Sequence, residues 1–546
     1  MATALVLTGC SNTTPVAPTI IGPTVLTPVT SSQVIKHVVV IFGENISFDH
    51  YFGTYPNAAN LSSDAVKFTA ATGTPTNISN YVTSPDLLTA NPNLNISNGA
   101  GATNPFRLDA AQAATEDQDH NYNPEQLAFD DGKMDLFPMS VGSPDSAETT
   151  TLATSTGAPA IANTTGLTMG YFDGNTVTAL WNYAQHYALN DHSFGTTFGP
   201  STTGAINLIS GQTNGAVNTI GASSAVVADG NGGLTDIGDA DPTGDICSST
   251  SKSITMANGG KNIGDLLNAA GVTWGWFEGG FNLSITNPNG TTGCARTTTS
   301  AVTGVTENDY IQHHEPFQYY ASTQNLMHNR PTSVATIGTT DAANHQYDTT
   351  DFTAALAAGN LPAVSFLKAP GYQDAHAGYS DPIDEQAFVV SMVNAIEQSA
   401  DWSSTAIIID YDDSDGWYDN LTDIVNGSTS ASDAAICNAV GGGASLPGPD
   451  SGTTPVLGRC GHGPRLPLLV ISPWANKNYV DNTPTDQSSI IRFVEDTFLS
   501  SKRIGTGSFD ASAGTLNNMF NFTNNVAPNP NVVLLNPTTG VVTSGN

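Results

Sequence analysis

The segment Val34–Phe42 is the feature that most limits the folds open to this chain. It reads VIKHVVVIF, a nearly continuous apolar run rich in β-branched residues. Such a run is typical of a strand buried on both faces of a parallel sheet, and parallel strands are joined by crossover connections that usually contain a helix. The segment therefore predicts an α/β protein with a mostly parallel sheet flanked by helices.

The rest of the chain supports this fold because strand and helix patterns alternate along it. Helical spacing of apolar residues predicts helices at 176–187, 262–270, 353–358, 384–399 and 487–499, and apolar runs predict strands at 272–277, 363–367, 406–410 and 466–472. We interpret the long Gly/Ser/Thr/Asn-rich segments between these units as loop insertions, at 54–115, 140–166, 212–260, 279–310 and 425–460. The predicted organisation is a signal remnant at 1–10, a flexible spacer at 11–33, a single domain at 34–520 and a C-terminal tail at 521–546.

The charge balance excludes one class of partner. The chain has 48 acidic and 15 basic residues among 546, a net charge of −33. A protein that binds nucleic acid through its phosphates needs a basic patch, which this composition does not provide. Docking on an anionic lipid surface is disfavoured for the same reason. No apolar run is long enough to predict a transmembrane helix, so we expect contact with a membrane only through an N-terminal lipid anchor.

The N-terminus suggests such an anchor. The apolar run before Cys10 ends in Leu-Thr-Gly-Cys, which resembles a bacterial lipoprotein cleavage box that would lipidate Cys10. The run is short and no Lys or Arg precedes it, so an ordinary terminus that contains a cysteine is the alternative. We expect a protein that is secreted, periplasmic or anchored to the outer membrane of a Gram-negative bacterium.

The other cysteines favour an oxidising compartment. Cys247, Cys294, Cys437 and Cys460 allow three pairings. The sequence-local pairing joins Cys247 to Cys294 and Cys437 to Cys460, and it closes two modest loops. No Cys-x-x-Cys or Cys–His spacing supports metal binding, so two structural disulfides are the better interpretation.

Two of the predicted strands end in acidic turns. The first runs into Gly43-Glu44-Asn45, and the strand at 406–410 runs into Tyr411-Asp412-Asp413. In an open α/β sheet the site forms at the carboxyl ends of the strands, and carboxylate and amide oxygens are ligands of hard divalent cations. The two turns together predict one metal site. Taken alone, Asp412 and Asp413 fit a solvated acidic turn nearly as well, and Glu44 is a weaker candidate because the N-cap region of a helix commonly contains an acid.

A third candidate is Ser201, in the stretch FGPSTTG at 198–204. A serine at a Gly/Pro turn ahead of a helix can lie among free backbone N–H groups, where an anion binds. We predict that this helix begins near Ala205. Taken alone, the pattern fits an ordinary N-cap serine better.

Several long motifs in register resemble one known family. Glu44–Gly53 reads ENISFDHYFG, and it is followed in order by MGYFDGN at 169–175, the segment 195–212, the run 411–419 and GHGPRLP at 461–467. Over roughly residues 34–500 the chain resembles the bacterial phosphoesterase family, which contains non-haemolytic phospholipases C and respiratory-burst-inhibiting acid phosphatases. The resemblance implies an alkaline-phosphatase-like α/β core and phosphoester hydrolysis through a hydroxyl nucleophile.

Carried over position by position, the resemblance implies a nucleophile, a metal site and a phosphate pocket. Ser201 is then the nucleophile, and one divalent metal ion, with Mg²⁺, Ca²⁺, Mn²⁺, Zn²⁺ and Fe all open, is bound by Ser201, Glu44, Asn45, Asp412 and Asp413. The residues in or near the phosphate pocket are His120, His313, His314 and His376. Asn420 departs from many members, which have His at this position, so no role of that imidazole carries over.

The acid phosphatase branch is the closer match. The chain has Ser201 where phospholipases C carry Thr, and the aliphatic Ile46 where they usually have Arg. We therefore expect an acid phosphatase that acts on phosphomonoesters. A phospholipase C, which would bind phospholipid headgroups, is the alternative, and a non-catalytic surface lipoprotein is the alternative from another class. Because a strongly negative surface repels anionic esters at neutral pH, we expect an acid pH optimum.

Overall fold

The computed structural model describes Met1 and residues 28–144, 159–228, 233–256, 260–422, 461–505, 507–530 and 532–544. Its centre is an eight-stranded sheet. In chain order the strands are β1 (His37–Gly43), β2 (Ala188–Asn190), β3 (Trp274–Glu278), β4 (Gln346–Asp348), β5 (Val364–Lys368), β6 (Thr405–Tyr411), β7 (Leu468–Ile471) and β8 (Tyr479–Asp481). Their order across the sheet is β4-β3-β5-β1-β6-β7-β2-β8. This mixed α/β architecture, with a large central sheet and helices, confirms the predicted α/β class.

The central strand β1 is covered on both faces. Val38, Val39, Val40 and Ile41 are each at most 2% exposed, although successive side chains of a strand point to opposite faces. β1 pairs in parallel with β5 on one side and with β6 on the other. The two acidic turns and the end of β5 therefore lie side by side at one edge of the sheet.

The strand predicted at 466–472 runs against its neighbours. β7 pairs antiparallel with both β6 and β2, whereas the other pairs of this sheet are parallel. The reason lies in the connection. After β6 the chain passes through the turn at 412–419, and it returns through Arg465 at the same edge directly into β7, where Arg465 bonds to Asp419. A strand entered from the edge at which the previous strand ended must run in the opposite direction.

In the described part of the chain, the helices of eight or more residues lie close to predicted positions, except for the first one, which was not predicted. They are α1 (Tyr122–Phe129), α2 (Thr178–His186), α3 (Ser201–Ser210), α4 (Ile263–Ala270), α5 (Thr349–Ala357), α6 (Pro382–Glu397) and α7 (Gln487–Phe498). Shorter helices occur at Ser31–Val34, Phe48–Phe52 and Phe137–Ser140. α3 packs against α7 and α4, and α2 packs against α6.

Short strands outside the central sheet occur in the inserted segments, elsewhere in the domain and in the C-terminal tail. They are Phe106–Arg107, Gly170–Tyr171, Ser193–Phe194, Ala216–Ile220, Val226–Ala228, Leu234–Asp236, Asp241–Pro242, Ser253–Met256, Thr297–Thr299, Thr306–Asn308, Thr485–Asp486, Leu534–Leu535 and Val542–Ser544. Cys247 and Cys294 form the expected disulfide, which joins the inserted segments 212–260 and 279–310. Cys10, Cys437 and Cys460 lie outside the described residues, as do the signal remnant after Met1, most of the spacer and the insertion at 425–460.

Among the described residues, no helix has the length and apolar character needed to cross a bilayer.

A buried arginine holds together three of the motifs. The guanidinium of Arg465, in the 461–467 motif, donates to Asp419 at 2.9 Å and to Asp49 at 3.1 Å, and all three side chains are inaccessible to solvent. It also donates to the backbone carbonyls of Ser79 and Asp191 at 2.7 and 2.9 Å. Asn420, the departure from the family pattern, belongs to this cluster, because its side-chain oxygen accepts from Arg465 at 2.9 Å.

Replacement of Arg465 by methionine should destabilise the fold strongly. It leaves two buried carboxylates without their partner, a change that typically costs about 3–5 kcal/mol. Chemical denaturation of Arg465→Met measures this loss. The matched control is Lys133→Met, which breaks an exposed pair with Asp130 and should cost less than about 1 kcal/mol. Equal losses in the two variants would contradict the buried role.

Glu397, the last residue of α6, joins two other parts of the core. Its carboxylate accepts from the Tyr187 hydroxyl and from the backbone N–H of Val533, each at 2.6 Å. Burial raises the pKa of Glu397 to about 7, despite these two bonds. The folded protein therefore keeps a proton on this group between roughly pH 4.5 and 7, where an unfolded chain has released it.

Glu397 should therefore make the protein more stable at acid pH. Because the folded state binds the extra proton, the free energy of unfolding falls as the pH rises through this window, and it changes little from this group outside the window. A Glu397→Gln variant should lose that part of the slope, which is worth at most about 3 kcal/mol. Denaturation at a series of pH values tests this, with the exposed Asp86→Asn as the control that keeps the wild-type slope.

Candidate active site

The ends of β1, β5 and β6 bring the two acidic turns together. Glu44 and Asn45 follow β1, and Asp412 and Asp413 follow β6, the next strand in the sheet. All four side chains are at most 3% exposed. A hydrogen bond joins the turns directly, since the backbone N–H of Asn45 donates to Asp412 Oδ1 at 3.0 Å. Asn45 has a φ of +59°, a left-handed conformation that asparagine tolerates better than most residues.

Ser201 is the first residue of α3. The helix thus begins four residues before the predicted position near Ala205. Gly204 weakens the helical pattern of the sequence, but the fold requires it. A Cβ atom at this position would lie 2.2 Å from the backbone oxygen of Asp412. The close approach of helix and strand end carries Ser201 to the acidic turns.

Three oxygen atoms converge on the Ser201 hydroxyl. Its Oγ lies 3.0 Å from Glu44 Oε2, 3.2 Å from Asp413 Oδ2 and 3.4 Å from Asn45 Oδ1. A hydroxyl has one hydrogen to donate, so it can satisfy only one of these three acceptors at a time. The serine itself is only 1% exposed.

Lys368 brings a positive charge to the same carboxylate cluster, and the sequence analysis did not identify this residue. It is the last residue of β5, and its buried ammonium group contacts Glu44 Oε1 and lies 3.5 Å from Asp412 Oδ2. Burial alone would raise the pKa of Asp412, but the charge of Lys368 holds it below its usual range. A charged residue directly after an apolar strand was the available signal.

One ammonium group does not neutralise the cluster. Burial and the neighbouring Asp412 raise the pKa of Glu44, and burial likewise raises the pKa of Asp413. The accumulated negative charge and the convergence of carboxylate and amide oxygens on Ser201 both fit a hard divalent cation. The residues that would hold it are those the resemblance implied, Glu44, Asn45, Asp412, Asp413 and Ser201.

His120 and His376 lie beside this cluster. His120 Nε2 is 3.4 Å from Asn45 Nδ2, and the His376 ring meets the His120 ring edge to face at 5.7 Å between centroids. Burial alone would lower the pKa of His120, but the carboxylates of Asp413, Asp117 and Asp415 raise it well above its usual value. Burial lowers the pKa of His376. Asp117, His120 and His376 are also close enough together to share a metal ion.

His314 and His313 border the cluster from the other side. His314 Nδ1 lies 3.3 Å from Glu44 Oε1, and burial and the charge of Lys368 lower its pKa. His313 packs edge to face on His314 and lies 3.8 Å from Asp241. Burial alone would lower the pKa of His313, but Asp239 and Asp241 raise it. All the site residues taken from the resemblance are thus near the strand ends, and His313 borders the cluster through its contact with His314.

The sequence analysis also did not identify Glu125, a residue of α1 that connects two turns of the site. Its carboxylate accepts from the backbone N–H of Gly199 at 2.9 Å and from the Ser414 hydroxyl at 2.7 Å. These bonds tie the turn before Ser201 to the turn that holds Asp413. Glu125 lies five residues after His120, in a helix with no marked apolar pattern, and no spacing in the sequence pointed to it.

A second group of ligand-type side chains, Asp245, Cys247 and His328, is not a metal site. Cys247 is held in the disulfide with Cys294 and has no thiolate to offer. His328 instead bonds to Asp245 at 3.0 Å, and Asp245 also accepts from Tyr310 and Gln318. The group is a closed polar network in the core.

The arrangement suits an attack by a hydroxyl on an electrophile that carries negative charge. Ser201 offers the oxygen, neighbouring carboxylates can take its proton, and imidazole groups can give a proton to a leaving oxygen. A cation bound among the carboxylates would supply charge to neutralise the anionic group.

Curated relatives of the chain are named phospholipases C. The chain is 23% identical to phospholipase C A of Mycobacterium tuberculosis over 91% of its own length and 79% of the relative. It is 30% identical to the non-hemolytic phospholipase C of Pseudomonas aeruginosa, over 31% of this chain and about a quarter (24%) of that protein. A further match is the non-specific phospholipase C6 of Arabidopsis thaliana, 28% identical over 26% of each chain.

A solved structure shows a distant likeness to the chain. The phosphonate monoester hydrolase SpPMH from Silicibacter pomeroyi aligns with 63% of this chain and 71% of its own length, at 12% identity and a TM-score of 0.28. The family model gives a broader match, over residues 35–499. With the strand-end turns, Ser201 and the Arg465 cluster all inside that range, the chain belongs to the Phosphoesterase family.

Proposed function

We propose that this protein is a phosphoric ester hydrolase with an alkaline-phosphatase-like core, and that its preferred substrates are phosphomonoesters at acid pH. The observation that carries the proposal is the convergence of Glu44, Asn45 and Asp413 on the Ser201 hydroxyl at the start of α3. Family membership supports the reaction class. The choice of Ser201 and Ile46 supports the acid phosphatase branch.

Ser201 is the nucleophile in this proposal. As its Oγ forms a bond to phosphorus, its proton passes to Glu44 Oε2 or Asp413 Oδ2, at 3.0 and 3.2 Å. The bond to the leaving oxygen breaks, and one of the four pocket histidines gives that oxygen a proton. Water then hydrolyses the phosphoserine by the reverse sequence of proton transfers. When bound, the metal ion supplies charge neutralisation and lowers the pKa of the attacking hydroxyl.

The acid pH optimum in this proposal follows from the net charge of the chain. A net charge of −33 repels anionic esters near neutral pH, and this repulsion fades as carboxylates take up protons.

For the location, we propose a secreted, periplasmic or outer-membrane-anchored enzyme of a Gram-negative bacterium, with lipidation of Cys10 and a Cys437–Cys460 disulfide as parts of that proposal. A non-catalytic surface lipoprotein would have no reason to keep the buried serine and its oxygen ligands together.

A phosphodiesterase that acts on phospholipid headgroups is the second candidate. The names of the curated relatives favour it, since those proteins are phospholipases C. The same serine, metal site and histidines would serve both reactions. The two functions differ in the number of ester groups on the phosphorus, and so in the charge that the pocket must accept.

Replacement of Ser201 by alanine should abolish hydrolysis of p-nitrophenyl phosphate. Loss of a nucleophile that acts with its neighbours lowers kcat by several orders of magnitude, roughly 10³-fold or more. Rates measured from pH 3 to 8 should show an acid optimum in the wild type. Ser210→Ala, at the other end of the same helix, is the control and should keep wild-type activity. Activity that survives in Ser201→Ala would move the nucleophile to Thr202, and a flat pH profile would refute the acid optimum.

Comparison of two chromogenic esters should separate the two candidates. We expect kcat/KM for p-nitrophenyl phosphate to exceed that for p-nitrophenyl phosphorylcholine by at least about tenfold, which corresponds to 1.4 kcal/mol of transition-state discrimination. A preference for the phosphorylcholine ester that disappears in Ser201→Ala would overturn the monoesterase proposal in favour of the phospholipase C alternative.

A further inference from the structure

Lys368 is a buried charge that the proposed reaction does not use. Its ammonium group is inaccessible to solvent and contacts Glu44 Oε1, Asp412 Oδ2 at 3.5 Å and the backbone oxygen of Gly43 at 3.5 Å. It therefore occupies the side of the carboxylate cluster turned away from Ser201, which is contacted by the other oxygen of Glu44.

Further metal-type ligands lie on this side of the cluster. His314 Nδ1 is 3.3 Å from Glu44 Oε1 and 3.9 Å from Asp374 Oδ2. The carboxylate of Asp374 is wholly buried and also acts on Lys368, whose pKa it helps to raise together with Glu44 and Asp412, although burial alone would lower it. Carboxylates and imidazole are the ligands that a second divalent ion of a two-metal phosphoryl-transfer site would take.

We propose that the ammonium group of Lys368 takes the place of a second divalent cation and so limits the chain to the one metal ion that the resemblance implies, beside Ser201. The charges support this. One ammonium group and one divalent ion carry three positive charges, as many as the carboxylates of the two strand-end turns, Glu44, Asp412 and Asp413. A second divalent ion beside a charged Lys368 would bring the total to five, against those three carboxylates and that of Asp374. An ammonium group on a strand end is also fixed in place, whereas a second metal ion would have to be recruited. The inference rests on the proposed function for the first ion.

The test is the number of metal ions bound per chain. Metal-depleted protein is dialysed to equilibrium against Mn²⁺, and the bound metal is measured by mass spectrometry. The wild type should bind one Mn²⁺. Lys368→Ala, which removes the charge and frees the space of the ammonium group, should bind two, and Lys368→Ala combined with Asp374→Asn should bind one again. The control Lys502→Ala removes an exposed charge and should bind one.

The outcomes separate this inference from the proposed function. A wild type that binds no Mn²⁺ would overturn the metal site beside Ser201. One ion in the wild type and still one in a folded Lys368→Ala would overturn the role of Lys368 and leave the first site intact. If Lys368→Ala does not fold, electron paramagnetic resonance of the wild type with excess Mn²⁺ decides. An isolated Mn²⁺ signal supports the inference, and a spin-coupled pair overturns it.

Discussion

The main constraint on the structure is a group of carboxylates buried at the ends of adjacent parallel strands. Carboxylates resist removal from water unless they find charge and hydrogen-bond partners. Around the site that requirement is met by Lys368, by backbone N–H groups that donate to Asp412, and by the Ser201 hydroxyl. The surrounding elements are arranged to supply these partners. α3 comes close enough to deliver Ser201 because Gly204 has no side chain to keep Asp412 away, and β5 ends where its last residue can reach both turns.

A second buried charge cluster, around Arg465, supports the cluster around Ser201. Arg465 binds Asp419 and Asp49, residues of the same two motifs that contain the acidic turns. Each motif therefore supplies side chains to both clusters. This explains why the motifs extend beyond the acidic turns themselves. It also gives Asn420 a place, since its amide accepts from Arg465 where an imidazole would have to bond differently.

Much of this could be predicted from the sequence because burial leaves a pattern in long elements. The run around β1 and the alternating helices gave the α/β class, and the acidic ends of β1 and β6 gave the meeting point of the turns. Strands of three residues, such as β2, β4 and β8, leave too short a pattern, and the direction of β7 depends on where the chain re-enters the sheet. The start of α3 was misplaced because Gly204 is unfavourable in a helix yet needed for contact. Lys368 and Glu125 were missed because their partners lie far away in the sequence.

The antiparallel return into β7 has a consequence for how such a protein can change over evolutionary time. The chain leaves the sheet after β6 and comes back at the same edge, and the bond between Asp419 and Arg465 closes the base of the excursion. Its length can therefore grow or shrink at a cost that rises only slowly with the number of residues, without any shift in strand register. The excursion begins a few residues after the acidic turn of β6. Variation in the length of this connection is thereby uncoupled from the strands that hold the two acidic turns together.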